Sequence, residues 1–147
     1  MMKKLFILLP ILILIIYAYS VYAKTDDSPI GIKFFEGTWN EALVKSLKEN
    51  KPLFLDVATS WCGYCKKMKQ NVFIDKDVAM YFNKNFICIE IDAEYGEGRT
   101  IAQKYGVSSY PTLIIIDKNE KPILTTEGYL DAKDFLKMGK EALTYIK

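Results

Sequence analysis

Residues 54–66 read Phe-Leu-Asp-Val-Ala-Thr-Ser-Trp-Cys-Gly-Tyr-Cys-Lys, an apolar run followed closely by two cysteines. The run over residues 53–58 has the length of a buried strand, and Asp56 is the one charge inside it. Cys62 and Cys65 come next, at the start of an expected helix. The pattern predicts a buried strand that leads into a helix through a turn carrying two thiols.

The spacing of the two cysteines is compatible with several kinds of site. A structural zinc site needs four thiolate or imidazole ligands, whereas the chain has three cysteines and no histidine. A c-type haem attachment needs a histidine where Lys66 stands. A structural disulfide across two intervening residues would constrain the unfolded chain little. No metal is therefore expected, and the spacing favours a redox-active pair, with a structural disulfide as the remaining alternative.

The expected helix start favours thiolate chemistry at Cys62. Unpaired backbone N–H groups and the positive end of the helix dipole stabilise a thiolate, so the pKa of the first thiol falls in such motifs. Cys62 is the candidate nucleophile, and Cys65 is the candidate thiol that resolves a mixed disulfide. We expect Gly63 to let the loop turn tightly and Tyr64 to tune the thiolate.

Composition excludes several classes of function. The 147 residues are 50% hydrophobic and 26% charged, which is typical of one globular domain. The absence of histidine excludes Ser/His and Cys/His nucleophile pairs, and with them most hydrolases. Two of the 20 basic side chains are Lys3 and Lys4, which leaves residues 24–147 with 18 basic and 18 acidic side chains. No nucleic-acid partner is therefore expected.

The first 23 residues are typical of a secretory signal peptide. Two lysines at positions 3–4 precede an unbroken apolar run over residues 5–16, and Ala23 ends a segment suited to cleavage. An uncleaved anchor is the alternative, because residues 5–23 approach the roughly 20 needed to span a membrane. We expect a periplasmic or otherwise exported domain, which contacts the inner membrane only if this segment is uncleaved.

Beyond the leader, residues 24–30 are predicted to be a flexible lead and residues 31–147 a single α/β domain. Apolar periodicity, capping residues and turn signals predict its elements in this order: strand 32–36, helix 39–49, strand 53–58, helix 66–71, helix 75–82, strand 86–91, helix 100–105, a hairpin of strands 112–116 and 123–126, and helix 131–145. This order predicts a central mixed β-sheet flanked by helices on both faces.

Two segments carry a resemblance to a known family. Residues 54–66 resemble the active-site segment of the thioredoxin superfamily, and residues 107–113, Val-Ser-Ser-Tyr-Pro-Thr-Leu, resemble its second signature, a Pro-Thr preceded by a cis peptide bond. The match extends in register from about residue 39 to the C-terminal helix. It implies a thioredoxin-like fold, and with the leader it is similar to exported bacterial proteins such as the C-terminal domain of the transmembrane thiol reductase.

The resemblance also implies roles for individual residues. Asp56 matches the buried acid that helps to move a proton to or from the second cysteine, and an acid inside an apolar strand is expected to have a raised pKa. An Asp satisfied by backbone amides at a strand end is the alternative. Pro111 would face the disulfide, and the backbone of Tyr110 would pair with an extended substrate segment. Trp61 is expected to pack beside the cysteine pair.

The sequence departs from the family pattern at two places. Cys88 stands, by register, where the family often carries a lysine that faces the buried acid. Because free cysteine is among the most buried residue types, we expect a core thiol there rather than a third redox partner. The Gly-Tyr dipeptide between Cys62 and Cys65 differs from the Gly-Pro of thioredoxin and resembles that of periplasmic disulfide isomerases.

These features predict an exported protein-disulfide oxidoreductase that reduces protein disulfides by dithiol–disulfide exchange and needs no cofactor. Its expected partners are cysteine-containing substrate proteins and a thiol–disulfide electron-exchange partner, and the chain is expected to be a monomer. A periplasmic oxidant or disulfide isomerase is one alternative. A non-catalytic thioredoxin-like binding module with a structural disulfide is the other.

Overall fold

The computed structural model describes residues 14–15 and 30–146. The predicted leader, the cleavage position and the flexible lead up to residue 29 lie almost wholly outside the described residues, so these boundaries stay predictions. Within the described part of the chain, no helix has the length and apolar character needed to cross a membrane.

The described residues contain nine named elements. In chain order they are α1 (Trp39–Glu49), β1 (Leu53–Ala58), α2 (Gly63–Asn71), α3 (Lys76–Asn85), β2 (Ile87–Asp92), α4 (Gly98–Lys104), β3 (Thr112–Ile116), β4 (Pro122–Glu127) and α5 (Ala132–Tyr145). The strands form one sheet in the order β2-β1-β3-β4. The β1–β2 pair is parallel, whereas β1–β3 and β3–β4 are antiparallel. This confirms the predicted mixed sheet and its terminal hairpin.

Successive side chains of the central strand β1 point to opposite faces of the sheet. Leu53, Leu55 and Val57 belong to the core on one face, together with residues of α1 and α4. Phe54 belongs to the core on the other face, where residues of α2, α3 and α5 pack. Helices therefore cover both faces, as predicted, and the alternation places Asp56 on the face covered by α2.

An aromatic cluster fills the core on the α2 face. The ring of Phe54 lies 5.1 Å from the rings of both Phe82 and Phe135, measured between centroids. Phe82 and Phe135 stack in parallel at 4.2 Å, which joins α3 to α5. These contacts hold the sheet and the helices in a fixed relation beneath the two cysteines.

Helix starts follow the predicted capping residues. Thr38 and Glu41 form the expected capping box: the Glu41 N–H donates to Thr38 Oγ1 over 3.3 Å, and the Thr38 N–H donates to Glu41 Oε2 over 2.8 Å. Asp75 caps α3 and Asp131 caps α5 with side-chain oxygens that accept from backbone N–H groups of the first turn. Local sequence therefore fixes where these three helices begin.

The prediction of a strand over residues 32–36 is wrong. Only an isolated parallel bridge joins Phe34 to Cys88. The Ile32 N–H donates to the Phe73 carbonyl over 2.7 Å, and the Lys33 N–H donates to Asn83 Oδ1 over 2.8 Å. The region between α2 and α3 therefore satisfies these two donors, whereas the Phe35 N–H donates to the Cys88 carbonyl on β2 over 2.7 Å. The segment does not extend into a strand.

Candidate active site

A disulfide joins Cys62 to Cys65 at the start of α2, with the two Cα atoms 5.3 Å apart. Cys62 is the N-cap of this helix, and the Cys65 N–H donates to Cys62 Sγ over 3.0 Å. Both cysteines are buried, at 4% and 2% exposure. A backbone N–H at the positive end of a helix is thus aimed at Cys62 Sγ, the arrangement that stabilises a thiolate when the disulfide opens.

Asp56 lies in the middle of β1 and is fully buried. Neither of its carboxyl oxygens has a hydrogen-bond partner among the described residues, which excludes the alternative of an acid held by backbone amides. Burial, reinforced by the negative charge of Glu90 and opposed by Lys69, raises the pKa of Asp56 to about 8. Its side chain lies on the same face as Ala58, which packs against both cysteines.

Trp61 and Tyr110 form one aromatic side of the site. Their rings meet edge to face at 5.8 Å between centroids, and Tyr110 packs against both cysteines. Trp61 is 62% exposed, and its indole N–H donates to Glu94 Oε1 over 3.1 Å. Tyr110 therefore lies between the Trp61 ring and the cysteine pair, and one face of Trp61 is exposed to solvent.

The peptide bond between Tyr110 and Pro111 is cis, as the second sequence signature implies. Pro111 is buried at the start of β3, and its carbonyl accepts a hydrogen bond from the Gly128 N–H over 2.8 Å. This bond ties the Pro111 loop to the end of β4. That Pro111 itself faces the disulfide stays a prediction.

Tyr64 and Tyr129 form a second aromatic side. The centroids of the two rings are 6.4 Å apart, and Lys67 Nζ lies 4.6 Å from the centroid of the Tyr129 ring. Tyr64 is 62% exposed, and Tyr129 is half-buried. Tyr64 precedes Cys65 in the first turn of α2, so this pair joins that turn to the segment that follows β4.

Comparison with known proteins identifies the family. The sequence profile of the thioredoxin-like domain matches residues 39–143. The chain belongs to the thioredoxin-like domain family. This confirms the resemblance drawn from residues 54–66 and 107–113.

Individual relatives agree with this thioredoxin-like assignment. A solved structure from Bacteroides thetaiotaomicron, provisionally named a disulphide-isomerase, is 42% identical, covers 77% of this chain and 93% of its own, and superposes with a TM-score of 0.69. Protein disulfide-isomerase 1 of Dictyostelium discoideum is 31% identical over 66% of this chain. Thiol:disulfide interchange protein DsbD of Yersinia pestis is 30% identical over 60% of it. The chain spans only 24% and 15% of the lengths of these last two proteins.

Gly63 follows Cys62 in the turn of this thioredoxin-like site. It is the first residue of α2, and its backbone does not have a positive φ. A Cβ atom placed there would meet no atom within 4 Å. The turn therefore uses no backbone conformation that only glycine can adopt, since helical geometry at this position accepts a side chain.

Cys88 is a free, buried thiol, as predicted, and burial raises its pKa. Its alignment with the lysine position of the family stays a prediction. In the parallel pairing of β1 with β2, Cys88 lies opposite Phe54, and Glu90 lies opposite Asp56. Because side chains two residues apart lie on the same face of a strand, Cys88 shares the face of Asp56 and packs in the aromatic core with Phe54.

Sequence reasoning missed Glu90, Glu94 and Tyr129. All three come to the site from segments distant in the chain, through strand pairing or through a loop that follows a strand. The predicted hairpin offered a signal for Tyr129. In an antiparallel hairpin, the residues that follow β4 lie beside the start of β3, next to Pro111. No comparable signal in the sequence paired Glu90 with Asp56.

Proposed function

We propose that this chain is an exported thiol–disulfide oxidoreductase that reduces disulfides of other proteins. The observation that carries the proposal is the Cys62–Cys65 disulfide at the N-cap of α2, with the Cys65 N–H directed at Cys62 Sγ. This environment lowers the cost of forming a thiolate at Cys62 and makes that sulfur a good attacking and leaving group. Export rests on the signal-like character of residues 1–23.

The reaction is a dithiol–disulfide exchange. In the reduced protein, the Cys62 thiolate attacks one sulfur of a substrate disulfide and releases the other as a thiolate. Cys65 loses its proton and attacks Cys62 Sγ. The Cys62–Cys65 bond forms, the mixed disulfide breaks, and the second substrate sulfur leaves; the released thiolates take protons from water. Two electrons pass from the cysteine pair to the substrate, and a thiol partner restores the reduced pair by the same exchange.

Asp56 accepts the proton of Cys65 in this scheme. Its side chain lies on the face of β1 that α2 covers, beside Ala58 and therefore beneath the cysteines. A carboxyl group with a pKa of about 8 can take up and release a proton near neutral pH. Asp56 then returns the proton to water.

The aromatic side chains around the disulfide supply a surface for substrate proteins. Tyr110 packs against the cysteines and contacts Trp61, and Tyr64 lies between the cysteines in the first turn of α2. Exposed aromatic side chains give large contact areas at low conformational cost, which suits recognition of many substrate sequences. Pro111 and the backbone of Tyr110 are assigned to contact an extended substrate segment, and Gly63 leaves the surface above Cys62 open.

Substitution of each cysteine tests the proposal. Reduction of insulin disulfides by the full chain, with dithiothreitol as electron donor, is expected for the wild type. Cys62→Ser should abolish it, whereas Cys65→Ser should accumulate a mixed disulfide with substrate. Cys88→Ala is the matched control and should retain turnover. A wild-type protein that binds partners without turnover would instead support a non-catalytic binding module.

The direction of the reaction is tested separately. Equilibration of the Cys62/Cys65 couple in glutathione buffers, followed by Trp61 fluorescence, gives its reduction potential. A value near about −270 mV supports a reductase, whereas a value near about −120 mV supports an oxidant. A value near about −180 mV, together with refolding of a scrambled substrate, would support an isomerase, the activity named in the Bacteroides and Dictyostelium relatives.

A further inference from the structure

An ion pair lies beside the buried acid of the site. Lys69 Nζ, on α2, is 2.7 Å from Glu90 Oε1, on β2. Their side chains are 46% and 31% exposed, so the pair sits at the surface of the protein. Lys69 belongs to the helix that begins at the two cysteines, and Glu90 lies opposite Asp56 in the parallel pairing of the strands.

On the side of β3, Asp56 has an apolar neighbour. Leu113 lies opposite Asp56 on β3 and is fully buried. The charged groups that act on its carboxyl are Glu90 from β2, which favours the protonated form, and Lys69 from α2, which favours the ionised form. Three thiols also border this face: Cys62 and Cys65 when they are reduced, and Cys88 on β2, whose pKa is raised by burial.

We infer that Lys69 and Glu90 are positioning residues for proton transfer at Asp56: their ion pair holds two opposite charges beside the buried carboxyl, and the balance between them sets how readily Asp56 exchanges a proton with Cys65. This inference rests on the proposed function, because it assigns Asp56 the proton of Cys65.

Two physical arguments favour this role over a merely structural one. A surface ion pair between flexible side chains adds little to folding stability. A fully buried carboxyl, in contrast, feels nearby charges with little screening by water. Because Lys69 and Glu90 bear opposite charges, their effects on Asp56 oppose each other while both are present. Removing one charge leaves the other unopposed.

The proton-transfer step shows what each change should do. Asp56 must be ionised to accept the proton of the Cys65 S–H before Cys65 attacks Cys62 Sγ. Glu90→Gln leaves Lys69 unopposed and favours the Asp56 carboxylate, so the resolving step should reach half its maximal rate at lower pH. Lys69→Gln leaves Glu90 unopposed and should move that midpoint to higher pH. The double variant should return toward the wild type.

The test uses the full chain and two readouts. The first is the pH midpoint of single-turnover reduction of insulin by the reduced protein; the second is the titration of the Asp56 carboxyl in the oxidised protein, followed by carbon-13 NMR. Glu90→Gln should lower both midpoints and Lys69→Gln should raise them, each by about one pH unit. Glu49→Gln, which breaks the remote Lys45–Glu49 pair, is the matched control and should move neither.

The outcomes separate the inference from the proposed function. Midpoints that stay in place in both variants, or that move in the same direction, overturn the inference. A wild-type protein without insulin reduction overturns the proposed function, while the carboxyl titration in the oxidised protein still tests the effect of the pair on Asp56. Opposite shifts in both readouts, cancelled in the double variant, establish the positioning role.

Discussion

Asp56 and Glu90 lie opposite each other on neighbouring parallel strands, so two carboxyl groups share one face of the sheet. Like charges in this relation destabilise a sheet unless one of them is neutralised. Here Glu90 is paired with Lys69 at the surface, and burial keeps Asp56 protonated at neutral pH. The fold therefore tolerates the pair of acids by giving them different protonation states.

The protonation of Asp56 predicts a pH-dependent stability. The folded protein keeps the proton up to a pKa of about 8, whereas the unfolded chain loses it near the ordinary value of 3.8. The contribution of this proton to the free energy of unfolding is therefore complete below pH 4. It is lost as pH rises toward 8, by up to ~1.4 kcal/mol per pH unit. Urea unfolding of the oxidised protein between pH 5 and 8 measures this slope.

Asp56→Asn carries no titratable group and should largely remove this slope. The variant should also be more stable than the wild type at pH 8, because the cost of ionising a buried acid is gone. Asp77→Asn alters an exposed carboxylate and should keep the wild-type slope. An unchanged slope in Asp56→Asn would mean that Asp56 does not hold a proton in the folded state.

The sequence predicted those parts of the site that depend on neighbouring residues. The cysteine pair, the helix start at Cys62 and the Tyr110–Pro111 bond all follow from short segments, because local backbone geometry fixes them. Glu90 and Tyr129 escaped because their positions depend on how distant strands align. A shift of one residue in register would have turned Glu90 to the other face, and periodicity alone does not fix that register.

The strand expected over residues 32–36 shows the same limit in the fold. Its apolar and aromatic residues suit a strand, and Phe34 does pack on the core. Its backbone N–H groups at Ile32 and Lys33 donate to Phe73 and Asn83, about 40 to 50 residues away, and the Phe35 N–H donates to the Cys88 carbonyl on β2. The residue types of this segment therefore suited a strand but did not fix its hydrogen-bond partners.

Gly63 is predicted to tolerate a side chain. It occupies the first position of α2, and a Cβ atom there would meet open space. Gly63→Ala should stabilise the protein by about 0.4 to 1 kcal/mol, because it reduces the freedom of the unfolded chain. Gly98→Ala is the contrasting variant: its Cβ would lie 2.0 Å from the Asp92 carbonyl oxygen and should destabilise the fold strongly. Thermal unfolding of both variants checks this, and a destabilised Gly63→Ala would contradict it.

Cys88 is predicted to be chemically silent in the folded protein. Burial at 2% exposure and a raised pKa keep its thiol protonated and out of reach of reagents. The oxidised native protein should therefore give almost no reaction with Ellman's reagent at pH 8, and one thiol per chain after unfolding in guanidinium chloride. Rapid reaction in the native state would show instead that Cys88 is accessible for exchange.

Tyr129 is predicted to contribute to substrate binding without affecting the redox couple. It lies against Tyr64 and Lys67 at the edge of the site. Tyr129→Ala removes an aromatic surface worth about 0.5 to 1.5 kcal/mol in such contacts, so KM for a protein substrate should rise by about two- to tenfold. The reduction potential should stay at the wild-type value, because the N–H group directed at Cys62 Sγ is unchanged.

Tyr145→Ala is the matched control for this prediction, since Tyr145 is an exposed tyrosine at the end of α5 whose hydroxyl bonds to Glu141. It loses the same ring without touching the site, and its KM should equal that of the wild type. Steady-state insulin reduction gives KM, and glutathione equilibration gives the potential. A change of potential in Tyr129→Ala at constant KM would place Tyr129 in the chemistry of the cysteines rather than in the binding surface, because binding contacts outside the reacting sulfurs change KM alone.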